Sequence, residues 1–279
     1  MEKKLFRSAV VFLFAAVTCS SALAIAPLGP PTAGIEQGQK RIAFEYGYGK
    51  VDLEASGFKT SAFGSAHISG GSGSGTATVS DVESNAFLAN IGYGATDNWE
   101  AYALLGMANV QIDKVGNAKE LGADGDYGFG YGFGTKYTFR KEESLSWGAM
   151  FQMAWSNSDD SGTLTDDDFF GAEVELAKTD VEIDYYEIII AVGPTYEMNE
   201  QLRIYGGPFF CMLDGEYDMK ISAPDGESGM KISFDLEEDS QFGGYVGAEY
   251  DLAENAPLFA ELQFTGGGWG LGVGIGWKF

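Results

Sequence analysis

One histidine is present in the chain, His67, and Ser69 follows it two positions later. A base beside a hydroxyl is the pairing that a nucleophilic hydrolase needs, and some lipid hydrolases use a His-x-Ser order. The pair lies next to the Gly- and Ser-rich segment 68–75, which is typical of a flexible loop. A catalytic base must be held rigidly beside its nucleophile. We therefore interpret His67 as a solvated loop residue and expect no catalytic residue, with a lipid hydrolase using His67 and Ser69 as the alternative.

A second candidate for chemistry is a set of ionisable residues that alternate with large apolar residues in strand-like segments. If the apolar residues face outward, the ionisable ones face inward. This inward set consists of Glu45, Lys136, Glu187, Arg203, Glu249, Glu261 and Lys278. Buried charges are normally paired, so the set predicts an ion-pair network inside the fold. If the interior is open instead, the same residues favour the passage of cations.

Two of these carboxylates are expected to face each other. A turn centred near Asn255 would place Glu249 opposite Glu261 on neighbouring antiparallel strands. Two confined carboxylates need a cation between them, and Lys136 or Arg203 could supply it.

A third candidate is acidic. Residues 52–83, 113–126, 157–180 and 213–240 hold 25 Asp or Glu against 6 Lys or Arg. Asp159, Asp160 and residues 166–168 could bind Ca²⁺ through their oxygens, although their order is not that of an EF-hand. We interpret these segments as solvated acidic extracellular loops, the last of them a hairpin around residues 224–226. Divalent cations are an open alternative, and we predict no dedicated metal site.

The elements that must position these residues are β-strands. In the last eleven residues, Trp269, Leu271, Val273, Ile275, Trp277 and Phe279 alternate with glycines and Lys278, which places every large apolar side chain on one face. The two tryptophans bracket about 20 Å of tilted strand, close to the height of an outer-membrane apolar band.

Nine earlier segments show comparable patterns: 42–49, 87–93, 99–112, 127–139, 145–155, 186–196, 202–213, 242–252 and 258–265. Segment 99–112 is apolar on both parities, so its facing stays open. Short turns alternate with long connections, which is typical of outer-membrane barrels. We predict an all-β fold, an antiparallel up-and-down transmembrane β-barrel of ten strands, with eight as the alternative. A soluble barrel would need its apolar face inward.

Two stretches resemble a known class. Gly274, Trp277 and the terminal Phe279 resemble the signal by which outer-membrane β-barrels are recognised for assembly. Residues 92–102, Gly-Tyr-Gly-Ala-Thr-Asp-Asn-Trp-Glu-Ala-Tyr, resemble the strand–turn–strand of small opacity-type and OmpA-type outer-membrane barrels. The resemblance implies this fold and the barrel-assembly machinery as a partner, and it implies no activity.

The amino-terminal residues read as an export signal. Basic residues, an apolar run over 8–17 and Ala22-Leu-Ala24 predict a signal peptide of residues 1–24, cleaved on export. Cys19 leaves a lipoprotein open as a weaker alternative. Residues 25–39 carry three prolines and no periodicity, so we expect a flexible periplasmic leader before a barrel of residues 40–279.

Net charge and cysteine content limit the partners and the disulfides that the chain can have. A net charge of −24 excludes nucleic acid as a partner. Only Cys211 remains once residues 1–24 are removed, so no intrachain disulfide is expected. The sequence predicts an integral outer-membrane protein without cofactor or enzymatic activity, in contact with outer-membrane lipid and lipopolysaccharide. It would serve envelope structure, surface interaction or limited passive permeation.

Two other functions stay open. A cation-preferring small porin is the first. A lipid-modifying enzyme or protease is the second, but a protease of the ten-stranded omptin kind would need an Asp–His pair and an Asp pair at the barrel mouth. His67 is the only histidine that could serve there.

Overall fold

Strands form wherever large side chains alternate with small or polar ones. The computed structural model describes residues 27–64, 70–116, 118, 121–166, 174–238 and 241–279. Its strands are β1 (Lys40–Phe63), β2 (Gly71–Ser72), β3 (Ala77–Thr96), β4 (Trp99–Ile112), β5 (Ala123–Asp124), β6 (Gly128–Lys141), β7 (Leu145–Asp166), β8 (Val174–Glu197), β9 (Leu202–Ser222), β10 (Gly229–Glu238), β11 (Phe242–Ala253), β12 (Ala256–Thr265) and β13 (Gly268–Lys278). The described residues include no helix with the length and apolar character needed to cross a membrane.

Ten of these strands close into an antiparallel ring, in the order β1, β3, β4, β6, β7, β8, β9, β11, β12 and β13. The last strand pairs back onto the first, with Trp277 opposite Ile42 and Ile275 opposite Phe44. Where the ten strands run side by side, a closed ring leaves no unpaired sheet edge. The predicted antiparallel up-and-down barrel is confirmed, and its ten strands are those expected from the alternation.

The two ends of the barrel differ. At one end, which we call the short-turn end, brief connections at 97–98, 142–144, 198–201 and 254–255 join successive strands. At the opposite, extended end, β1, β3, β7, β8 and β9 continue well past β11, β12 and β13. There β10 pairs with both β9 and β1, and so takes the place that β11, β12 and β13 occupy lower down.

Most of what the sequence predicted as loops at 52–83 and 157–180 is strand, so that prediction was wrong. In these extensions the alternation is inverted: Leu53, Val79 and Ile183 are buried inside, while Glu54, Glu182 and other acids point outward. A search for apolar side chains on the outer face misses strands that lie beyond the apolar band. The hairpin expected around residues 224–226 is present, with Met230 opposite Ile221.

The interior of the extended end is an apolar core. Its members come from the inner faces of β1, β3, β4, β7, β8, β9 and β10 and from the described part of the connection between β4 and β6. Tyr217 stacks on Phe234 with ring centroids 4.4 Å apart, and its hydroxyl donates to the Leu121 carbonyl at 3.0 Å. Val115 and Ala123 are buried in the same core. The described part of the connection from β4 to β6 therefore fills the barrel interior at the extended end.

The exterior carries a belt of exposed apolar side chains, including Phe44, Phe87, Phe129, Phe133, Tyr137, Ile190, Phe242, Leu258 and Trp277. The facing of β4, which the sequence left open, follows the same rule: Trp99, Leu105 and Met107 are exposed, and Glu100 and Leu104 are buried. A soluble protein buries such residues, whereas a membrane-spanning barrel turns them to lipid. The belt therefore has the character of a lipid-facing surface.

Candidate functional site in the lumen

The short-turn half of the lumen collects the ionisable residues. Glu45, Lys136, Glu187, Glu249 and Glu261 are buried, and Arg203 and Lys278 are partly buried near the short-turn end. The structure adds two residues that the sequence-based set lacks, Arg41 and Glu100, both buried. Arg41 shares the parity of Glu45. Glu100 lies directly opposite Lys136 on β6. It was not predicted because the sequence left open which face of β4 points inward.

A chain of polar contacts links three strands. The guanidinium of Arg41 on β1 lies 2.6 Å from the Glu100 carboxylate on β4. Asn90 lies between them on β3. Its side-chain carbonyl oxygen is 3.4 Å from the Arg41 guanidinium, and its side-chain amide donates a hydrogen bond to Glu45 at 3.0 Å. An ion pair at this depth compensates part of the cost of removing both charges from water. The network fixes how these three strands sit around the lumen.

Glu261 is held by neutral donors. Its carboxylate accepts hydrogen bonds from the backbone N–H groups of Leu28 and Gly29 at 2.7 and 2.8 Å. It also accepts from the Tyr205 hydroxyl at 3.0 Å and from the Gln263 amide at 2.8 Å. Several donors to one carboxylate stabilise its charge without a directly bonded cation.

The predicted pairing of Glu249 with Glu261 was wrong. Glu249 lies opposite Phe259, and Glu261 lies opposite Gly247. The turn is tighter than expected and the ladder is irregular between Asp251 and Ala253, which shifts the register. Glu249 instead faces Arg203 on β9, whose guanidinium lies 3.0 Å from Glu249 and 2.5 Å from Asp251.

Residues 27–35 are not the flexible leader that the sequence predicts for residues 25–39. Leu28, Pro31 and Ile35 are buried inside the barrel. The Lys136 ammonium donates to the Leu28 carbonyl at 2.8 Å, and the Gly34 N–H donates to Glu100 at 2.9 Å. The sequence gives no periodicity here because the segment is bound through its main chain and forms no strand of its own.

Further contacts carry the segment across the lumen. The Ala33 N–H donates to the Thr138 hydroxyl at 3.0 Å, and the hydroxyls of Thr32 and Thr195 are 2.9 Å apart. Residues 27–35 thus touch the inner faces of β4, β6, β8 and β12. We call this segment the inner strap.

The other predicted chemistry finds little support in the described residues. His67 and Ser69 lie outside them. Cys211 is buried, and its thiol lies 3.3 Å from the Glu187 carboxylate. Among the residues that the structure describes, no group of three or more His, Cys, Asp or Glu could hold a metal ion.

The residues of the suggested assembly signal lie along β13 and just beyond it. Trp277 and Phe279 are exposed on the outer face, and Gly274 faces inward. A Cβ at Gly274 would stand 2.5 Å from the Phe259 ring, so this position also has a packing reason to be glycine. Their role in assembly stays a prediction.

A closed ring of ten antiparallel strands with an apolar exterior and a polar lumen decides the class of the fold. It is that of an outer-membrane-type β-barrel. No family model matches the chain, and no curated protein matches it in sequence.

Three solved structures are similar to this chain at low sequence identity. The outer membrane protease OmpT from Escherichia coli is 10% identical, covering 86% of this chain and 97% of that chain with a TM-score of 0.49. The outer membrane protein OprG from Pseudomonas aeruginosa is 14% identical, covering 88% and 98% with a TM-score of 0.43. The attachment invasion locus protein Ail of Yersinia pestis is 12% identical, covering 87% and 99% with a TM-score of 0.32. These likenesses concern the fold alone.

Proposed function

We propose that the protein is an integral outer-membrane barrel with a closed lumen, and that it serves envelope structure and surface contact without enzymatic activity. The short-turn end faces the periplasm and the extended end projects outside the cell. Short periplasmic turns and longer external segments are the usual asymmetry of such barrels. Outer-membrane lipid, lipopolysaccharide and the assembly machinery are the partners that this location requires.

One observation supports the closed lumen: the charged groups in its middle keep almost no accessible surface. Side chains of Lys136 and Glu261 keep 3% and 2% of their accessible surface, and Glu100 keeps none. In an open pore these charges would be hydrated. The inner strap crosses the lumen beside them, and the apolar core fills it above. A cation-preferring pore would require both obstacles to move.

The outer surface of the extended end supports the role in surface contact. Glu216 lies between Asp184 and Asp235 on neighbouring strands, and Glu237 lies between Asp214 and Glu54. Like charges directly opposite each other destabilise a sheet, so these carboxylates do not contribute to the stability of the barrel wall. Such a face is solvated, and it projects towards the headgroups and counterions of the outer leaflet.

Reconstitution in planar bilayers tests this function. Heat-modifiable migration on a denaturing gel first establishes that the barrel is folded, and the wild-type protein is then expected to give no stepwise conductance. A lipid-deacylation assay on the same sample, with His67→Ala as control, tests the hydrolase alternative. Stepwise cation-selective currents would favour the porin, and deacylation lost in His67→Ala would favour the enzyme.

A further inference from the structure

The inner strap is bound as a ligand is bound. We propose that the short-turn half of the lumen is a binding site for an extended peptide, and that residues 27–35 are its resident occupant. Residues 27–35 form no strand, so no β-ladder joins them to the wall. The inference does not depend on the proposed function, because peptide retention and bilayer conductance are measured separately.

Recognition runs from wall side chains to strap main chain. Glu261 accepts from two successive N–H groups, of Leu28 and Gly29, while Lys136 donates to the Leu28 carbonyl. A carboxylate and an ammonium thus hold both sides of one residue. Glu100 likewise accepts a hydrogen bond from the Gly34 N–H. Charge-assisted hydrogen bonds of this kind are stronger than neutral ones and fix the direction of a bound chain.

The wall is shaped to the strap by missing side chains. A Cβ at Gly148 would stand 2.4 Å from the Pro31 carbonyl oxygen and 2.8 Å from the Thr32 Cα atom. A Cβ at Gly272 would stand 2.8 Å from Pro27 Cβ. Both glycines face the lumen, and the three atoms nearest to the added Cβ at Gly148 all belong to the strap.

One side chain anchors the occupant. Leu28 is 2% exposed and packs in a buried cluster with Met150, Ile189, Ala191, Tyr205, Phe209, Cys211 and Tyr245. Gly29 follows with a φ of +65°, a left-handed conformation that favours glycine. The site therefore selects an extended peptide with a leucine-sized residue followed by glycine, and both residues need a free N–H.

The test separates the strap from the barrel after folding. Glu36, Gln37 and Gly38 are exposed, and nothing lies within 4 Å of a Cβ at Gly38, so a protease site is inserted between Gln37 and Gly38 of the full chain. The folded protein is cleaved in detergent, and the fragment is followed by size exclusion. We expect the fragment to stay with the barrel and to be exchanged by excess synthetic peptide of residues 27–35.

Two wall variants and a control make the result specific. Glu261→Gln and Gly148→Ala should each shorten fragment retention at least tenfold while the barrel stays folded by heat-modifiable migration. Gly130→Ala is the matched control, because its added methyl on the inner face meets neighbours only at 3.7 Å and beyond. Immediate loss of the wild-type fragment would overturn the inference. A fragment that never exchanges until the barrel unfolds would overturn it as well.

Discussion

Arg41 and Glu100 form an ion pair across an intervening strand: β3 lies between β1 and β4, yet the two side chains approach to 2.6 Å above it. Neither is more than 10% exposed in its side chain. Replacing one partner leaves the other charge buried and unpaired. Glu100→Gln should lower the free energy of unfolding by about 3–5 kcal/mol.

An exposed pair at the short-turn end is the control for this experiment. Arg140 and Glu142 are also in contact, but their side chains are 67% and 50% exposed. Glu142→Gln should therefore change the free energy of unfolding by less than about 1 kcal/mol. Denaturant unfolding in detergent, followed by tryptophan fluorescence, measures both. Equal effects of the two substitutions would contradict the buried ion pair.

The inverted alternation of the extended end predicts opposite results at neighbouring residues. Leu236 is 2% exposed in the apolar core, so Leu236→Ala should cost about 2–5 kcal/mol. Glu237 points outward opposite Glu54 and Asp214, so Glu237→Gln should be neutral or slightly stabilising. Unfolding midpoints measure both. If Glu237→Gln destabilises as much as Leu236→Ala, the two faces of β10 have been assigned wrongly.

Glu238 should make stability depend on pH. It lies at the end of β10, outside the ten-stranded ring, and burial raises the pKa of its carboxyl from 4.5 to about 7. The folded state thus holds this proton more tightly than the unfolded state does. Its contribution to stability is complete below about pH 4.5 and is lost as pH rises through about 7.

Glu238→Gln removes this titration. Stability of the variant should fall less than that of wild type between about pH 5 and about pH 8, measured by unfolding midpoints in the same detergent. An unchanged pH profile in Glu238→Gln would count against a buried proton at this position.

The orientation in the membrane is tested by epitope insertion. Gly226 lies in the turn between β9 and β10 with nothing within 4 Å of an added Cβ, so an insertion there should be tolerated. An antibody should reach this epitope on whole cells, whereas an epitope at Asn98 should become reachable only after the outer membrane is opened. The reverse pattern would mean that the extended end faces the periplasm.

The sequence predicted the ring well because outward apolar residues alternate with glycine, other small residues or polar residues along most of its strands, as on β13 from Trp269 to Trp277. It failed where the environment changes along one strand: β1 turns apolar residues outward up to Tyr48 and inward from Val51. The inner strap was missed because Glu261 and Lys136 bind main-chain atoms, which leave no pattern in the side chains. The register of β11 against β12 at Glu249 was predicted wrongly because it depends on an irregularity near Ala253 that the sequence does not indicate.

The most direct measurement of the closed lumen uses the native thiol. Cys211 is on the inner face of β9 and 1% exposed, and it is the one cysteine left after the predicted cleavage. Ser161→Cys, at an exposed position on β7, is the positive control for labelling. With a water-soluble methanethiosulfonate reagent, the folded wild-type barrel should remain unlabelled and should label fully after boiling. Labelling of Cys211 in the folded barrel, at a rate close to that of the control, would show that water reaches the lumen and would contradict the account.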